Sequence, residues 1–416
     1  MSTDVIVTRR VEEFALRERG QLYAGPVIDT DVHHTWPSQE ALLPYMARKW
    51  REYVESPGSA GLIPFSGSSG YFHPHGFKRD DAFPVVSGRR QKAGSNYELM
   101  RDQLLDPFRI RKALLTYDEA LFALPGIPNP YFASELARAM NDYTADQWLS
   151  RDVRLAGSLI VPTQFPEQAV AEIKRSSRNP QFVQVITAGG GLGPPLGHPV
   201  YHPIWEAAAD ADLPLCVHVG GSGGNNYGAA GGALNYYIEF HALGIETMMT
   251  HVASFLLNGI FDRFPKFKVI FVEGGIAWLP TFLWQLDEAY KRSWREQPQL
   301  SRLPSEYVAE HVRLSSQPLE LSPKREQMIK MMRLMRADRV VLFSSDYPHW
   351  DTDDVDYVAK KLPRDWLGRV YHDNACEFYG WSKDPGGEAD PSRSTSPSNE
   401  VTAEELPDVE QQGDIL

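Results

Sequence analysis

Apolar residues along this chain gather into short, nearly unbroken runs. Most runs are followed by a longer stretch in which apolar positions recur every three or four residues. The runs lie at Val27–His34, 111–117, 155–162, 182–187, 213–219, 268–273, 311–315 and 339–343. Unbroken rather than alternating apolar runs predict parallel strands buried on both faces. Between them, residues 131–149 show helical spacing in Leu136, Ala139, Met140, Tyr143 and Trp148, and further helical stretches run through Ile173 and across 204–211. Eight strands with helices between most of them predict an α/β protein, a (β/α)8 TIM barrel. An open doubly wound sheet would more often carry a glycine-rich phosphate loop after its first strand. In this chain the nearby glycine cluster falls at 189–193, without the GxGxxG pattern of a strand-to-helix turn.

The rhythm breaks in three places. Residues 1–24 read as a polar N-terminal helical arm, and the barrel is expected to occupy 25–382. Within it, 36–110 is an insertion rich in Pro, Gly, Ser and aromatics, and its loop 66–76 carries Tyr71, Phe72, His73 and His75. So long a loop with so many aromatics favours a lid over the site. From 383 to 416, Pro, Ser, Gly and acids predict a disordered acidic tail.

A barrel places its active site at the C-terminal ends of its strands. Strand one ends in Asp31 and His33, two positions apart and so on one face. Strand five ends in His218, strand six in Glu273 and the eighth in Asp346. A lone histidine on an apolar strand is commonly a satisfied core residue. Five ionisable groups at four strand ends are different, because burying them together without a cation leaves like charges in a low dielectric. The remaining strand ends show Asp118, Thr163-Gln164, Thr187 and Ser315-Ser316-Gln317.

Charge and cysteine content narrow the class. The 416 residues include 42 basic and 54 acidic ones, a formal charge of −12, without basic runs. That argues against nucleic acid or an anionic membrane as partner and leaves a small-molecule substrate. Cys216 and Cys376 form no CxxC. Neither a membrane-length apolar run nor a signal-peptide core is present, so a cytoplasmic location is expected.

Several segments carry a family resemblance. They are Val-Ile-Asp-Thr-Asp-Val-His at 27–33, Leu-Pro-Leu-Cys-Val-His at 213–218, the stretch from Gly259 to Gly275, and Leu-Phe-Ser-Ser-Asp-Tyr-Pro-His at 342–349. Over roughly 25–380 the chain resembles the amidohydrolase-2 branch of the amidohydrolase superfamily, the aminocarboxymuconate semialdehyde decarboxylase-like enzymes. The resemblance implies one divalent ion held by Asp31, His33, His218 and Asp346, and a homodimer. Two positions depart from the pattern. Many members have His-x-His on strand one, whereas Asp31-x-His33 is a harder pair that leaves Zn²⁺ and Mn²⁺ both open. Many also place a proton-transferring histidine where Glu273 stands.

The expected chemistry follows from these residues. The ion lowers the pKa of bound water or polarises a substrate carbonyl or carboxylate. Asp346 accepts the water's proton, and Glu273 is a general acid or base or else a structural hydrogen-bonding group. His251 stands in for the missing histidine, His241 is a second possibility on the same helix, and His349 orients Asp346. Trp36, Tyr71, Phe72 and Phe77 wall a planar substrate or simply pack the insertion. Three classes compete. The leading one is a metal-dependent hydrolase of a small cyclic or aromatic amide, lactone, ester or activated C–C bond. Next come a non-oxidative decarboxylase of an aromatic or unsaturated acid, and a non-catalytic binding barrel. An arginine set to hold a substrate carboxylate, with Arg51, Arg79 and Arg101 as candidates, would favour the lyase.

Overall fold

The computed structural model describes residues 22–384, apart from 58, 60, 63–76, 192, 222–234 and 320–323. Most of the expected arm and tail, and the loop with Tyr71, Phe72, His73 and His75, lie outside the described residues. Eight strands run parallel in consecutive order: β1 (Val27–His34), β2 (Ile110–Tyr117), β3 (Leu155–Ile160), β4 (Phe182–Gly190), β5 (Leu215–Gly221), β6 (Val269–Val272), β7 (Val312–Ser315) and β8 (Val341–Leu342). Backbone bonds from Thr30 N to Phe343 O (3.0 Å) and from Asp346 N to Asp31 O (3.1 Å) join the last strand to the first. The expected TIM barrel is what forms.

The strands read as continuous apolar runs because helices cover their outer faces while side chains fill the inside. Six of those helices are α1 (Pro130–Thr144), α2 (Pro166–Ser176), α3 (His202–Asp210), α4 (Tyr237–Leu257), α5 (Leu279–Ser293) and α6 (Pro304–His311). In α1 the apolar stripe is as expected. Asn129 caps its first turn by accepting from Tyr131 N and Phe132 N, Pro130 needs no partner there, and Phe132, Leu136, Met140 and Tyr143 are buried. The last strand is shorter than its apolar run, because Arg336 adopts a left-handed backbone (φ 54°) and starts a helical turn at Ala337–Val340.

Two features position the site. In β1 the register against β2 slips between Asp29 and Val32, a bulge that re-aims the side chains around Asp31. The insertion is stitched to the end of β8 by a bridge between Lys78 and His349 and a bond from Arg79 N to Pro348 O (3.0 Å). Trp36 is fully buried against Tyr117 and Tyr143, so it packs the insertion down rather than walling a pocket. Phe77 instead meets Tyr237 of α4 edge-on at 5.3 Å. No described helix is long and apolar enough to cross a membrane.

Candidate metal centre

Six ionisable side chains converge where the strands end. Asp31, His33, His218 and Glu273 offer ligand atoms lying within 4.8 Å of one another, and His33, Glu273, Asp346 and His349 form an overlapping set. His218 Nε2 lies 3.0 Å from Glu273 Oε2, 3.3 Å from His33 Nε2 and 3.6 Å from Asp31 Oδ2. His33 Nε2 lies 3.1 Å from Asp346 Oδ1 and 3.6 Å from Asp31 Oδ1. Two donors bound to one ion at about 2.0–2.2 Å, meeting at a right or tetrahedral angle, sit roughly 3.0–3.5 Å apart. The separations within each set fit a shared cation, and His33 and Glu273 belong to both sets.

Hydrogen bonding supports the same conclusion. His218 Nδ1 faces Val219 O at 2.7 Å, and a carbonyl only accepts, so Nδ1 carries the proton. With its proton on Nδ1, His218 turns Nε2 toward the carboxylate oxygens. Both oxygens of Asp31, Glu273 Oε2 and Asp346 Oδ2 are buried without hydrogen-bond partners. Unsatisfied acceptors at this density are costly unless a cation satisfies them.

The charges are strongly coupled. Burial opposes ionisation of Asp31, but His33 and His218 outweigh it and hold its pKa well below the usual carboxylate range. Burial likewise opposes Glu273, which His218 nevertheless draws down to about 2. Burial also disfavours an imidazolium at His218, yet Glu273 and Asp31 keep its pKa well above the ordinary value. Asp346 is pushed well up by burial and by the charge of Glu273. The backbone is held at two of these positions: Glu273 and Asp346 both have φ 59°, in the left-handed region. Such residues cost roughly 1–3 kcal/mol each and persist only where their surroundings impose them. Glu273 N donates to Ser315 Oγ (3.0 Å) and Asp346 N to Asp31 O (3.1 Å).

Behind Asp346 stands His349, as the sequence led one to expect, and behind His349 stands Lys78, which sequence reasoning missed. His349 Nδ1 bonds Asp346 Oδ1, and Lys78 Nζ bonds both His349 Nε2 and Asp118 Oδ1, the latter at 2.8 Å. Burial raises the Asp118 pKa, but Lys78 and His349 outweigh it and bring it well below the usual range. Asp118 is a strand-end acid legible in the sequence; Lys78 belongs to the irregular insertion and had no periodic signal.

Other expectations are corrected. His251 is not brought into the cluster: its Nε2 bonds Gly189 O (2.6 Å) and its Nδ1 accepts from Leu196 N (3.2 Å), so both nitrogens are spent on backbone. Burial lowers its pKa to about 4 and keeps it neutral. His241 pairs with Asp351 (3.0 Å), which raises its pKa. Of the arginines, Arg51 lies on an exposed helix, Arg79 bonds Asp81 and Arg101 bonds Asp102. A cation that does reach the cluster is Lys78.

Comparison with known proteins agrees with this architecture. Among curated proteins, a gamma-resorcylate decarboxylase from a Polaromonas species is 26% identical over 301 residues, which is 70% of this chain and 86% of that protein. Another from a Rhizobium species is 25% identical over 264 residues, 61% of this chain and 77% of that protein. Among solved structures, an amidohydrolase from Mycobacterium avium subsp. paratuberculosis has a TM-score of 0.63 at 20% identity, covering 88% of this chain and 99% of that one. A 5-carboxyvanillate decarboxylase from Novosphingobium aromaticivorans, complexed with manganese and 4-hydroxy-3-methoxy-5-nitrobenzoic acid, has a TM-score of 0.59 at 21% identity, covering 88% and 98%. These structural likenesses establish the shared barrel. The family model described as amidohydrolase matches residues 28–381, and the chain belongs to that family.

Proposed function

We propose that the protein is a metal-dependent, non-oxidative decarboxylase of a hydroxylated aromatic acid. The observation that carries this reading is the similarity to gamma-resorcylate decarboxylases over 70% of the chain. It reverses the order expected from the residues alone, in which hydrolysis led because Glu273 replaces a histidine.

The donor set Asp31, His33, His218 and Asp346 would hold a divalent ion, Mn²⁺ or Zn²⁺. When bound, the ion supplies positive charge against the substrate's oxygens. The chain's own residues do the rest. Phe122, edge-on to His218 at 5.2 Å, and the Phe77–Tyr237 pair offer aromatic surface for a planar ring. In the reaction the bond from ring carbon to carboxylate breaks, its electron pair stays on the carbon, a proton joins that carbon and CO2 leaves. Asp346, fully buried at the cluster with His349 on its Oδ1, is the group placed to pass that proton to the ring carbon. His349 Nδ1 on Asp346 Oδ1, with Lys78 on the far nitrogen, is the route by which it is replaced. A homodimer is part of the same proposal and is checked by light scattering.

The test is incubation of the manganese- or zinc-loaded protein with 2,6-dihydroxybenzoate and 5-carboxyvanillate, following CO2 and the decarboxylated phenol. Turnover is expected with at least one hydroxylated aromatic acid, and Asp346→Asn should abolish it. Hydrolysis of amides or lactones with no CO2 from any such acid would overturn the proposal.

A further inference from the structure

Glu273 occupies a place in the cluster that a proton carrier or an orienting group would not need. A side chain that merely steers a ligating histidine bonds the nitrogen facing away from the ion. In His218 that nitrogen is Nδ1, already satisfied by Val219 O at 2.7 Å. Glu273 meets His218 at the other nitrogen, with Oε2 at 3.0 Å from Nε2, on the side shared with His33 and Asp31. Its Oε2 has no hydrogen-bond partner, as is true of both oxygens of fully buried Asp31. The left-handed backbone at 273 aims the side chain inward, and the Ser315 hydroxyl holds that turn through the Glu273 N–H.

We infer that Glu273 is a fifth protein ligand of the metal ion, joining Asp31, His33, His218 and Asp346. This rests on the metal-dependent reading above and adds to it. Five protein donors, three of them carboxylates, make a hard, anionic site with little room beyond one position for substrate, and they favour Mn²⁺ over Zn²⁺.

The donors serve one ion rather than two. A second ion beside His33, Glu273, Asp346 and His349 would require a free nitrogen on His349. Its Nε2 accepts from the Lys78 ammonium, which has only protons to offer, so Nδ1 carries the proton that it gives to Asp346. Neither nitrogen is available to a cation while Lys78 is in place.

The test separates ligand from orienting group and from the decarboxylase reading. Wild type, Glu273→Gln and Glu273→Asp are stripped with chelator and reloaded with Mn²⁺, Zn²⁺ or Co²⁺ alone. Stoichiometry is measured by elemental analysis and affinity by chelator competition. Wild type should hold one ion per chain. Removing a residue that only orients a ligand costs about 10–100-fold in affinity, so Glu273→Gln should lose more than about 100-fold for Mn²⁺, while Glu273→Asp retains part of the affinity. The cobalt wild type should show the weak visible bands of a five- or six-coordinate ion, a readout that survives even if the glutamine variant does not fold. An Mn²⁺ affinity loss of 100-fold or less in Glu273→Gln, or intense four-coordinate bands in the wild type, would overturn the inference while leaving decarboxylation standing. Two ions per wild-type chain would overturn the single-ion assignment. No bound metal in the wild type would remove the metal-dependent reading itself.

Discussion

The Lys78–Asp118 pair is the most quantitative consequence of the insertion's return to the barrel. The two side chains are 13% and 11% exposed and 2.8 Å apart. At that distance, with an effective dielectric near 20, the attraction is roughly 6 kcal/mol before desolvation. Desolvation of two nearly buried charges offsets much of it, leaving a coupling of about 2–3 kcal/mol. Lys78→Met alone strands a buried carboxylate at Asp118 and should cost about 3 kcal/mol. Asp118→Asn alone leaves the ammonium with His349 and should cost somewhat less. The double variant should recover much of the loss, because neither charge is then orphaned. The assay is denaturant unfolding of all four proteins at pH 7, checked for constant slope with denaturant. Stability losses that add to within about 0.5 kcal/mol would show that the pair is not coupled. Lys78 would then be a solvated surface charge and not a partly buried cation of the site.

Three further outcomes follow from the cluster and its surroundings. His218→Ala should keep its circular dichroism spectrum but lose the metal; a fully metallated variant would remove His218 from the ligand set. Metal binding requires unprotonated donors, and His218 and Asp346 both have raised pKa values. Loading Mn²⁺ at pH 7 in weak buffer should therefore release protons, read with an indicator dye, and loading with no proton release would contradict the assignment. His251→Asn should destabilise the fold by about 2–4 kcal/mol through its two lost backbone bonds while leaving metal content unchanged. Because the folded pKa of His251, about 4, lies below the unfolded value near 6.5, its contribution is complete above pH 6.5 and is lost as pH falls toward 4. That is about 3 kcal/mol of acid sensitivity, which the asparagine variant should lack when unfolding is compared at pH 7 and 4.5.

The barrel was legible because its signal is periodic and repeated. Each buried parallel strand needs apolar residues on both faces, so β1 to β7 announce themselves as runs, and α1 shows its stripe from Phe132 to Tyr143. The strand-end residues were legible for a related reason. A charged residue at the end of a run has no apolar explanation, and Asp31, His33, His218, Glu273 and Asp346 all stand there. His251 misled because helical spacing gives a side chain's direction along its own helix and not its neighbours. Only the end of β4 and the path of the chain beyond it reveal that the Gly189 carbonyl and the Leu196 N–H take both its nitrogens. Lys78 was illegible for the opposite reason. It sits in a segment without periodicity, and it reaches the site through a backbone bridge to His349, 271 residues later in the chain.

The backbone itself carries the remaining information. Asp31, Glu273 and Asp346 could each have been placed at a strand end and still have pointed into solvent or at a neighbouring helix. The bulge in β1 and the left-handed residues at 273 and 346 turn three carboxylates toward the same point. Each device costs free energy that a purely structural barrel would have no reason to keep. Each is pinned by a bond from the adjacent strand end: Asp346 N to Asp31 O, Glu273 N to Ser315 Oγ, and Ser345 N to Asp29 Oδ1. Asp29 shows how tightly this frame is drawn. Burial raises its pKa to about 7 despite the bonds it accepts from Ser345 and Asp31, so even the carboxyl that holds the bulge is close to giving up its charge. A frame under this much electrostatic and conformational load, built around buried acceptor atoms, is relieved by positive charge at its centre. The lone pairs of Asp31, His33, His218, Glu273 and Asp346 therefore specify a cation more firmly than any one of those residues does.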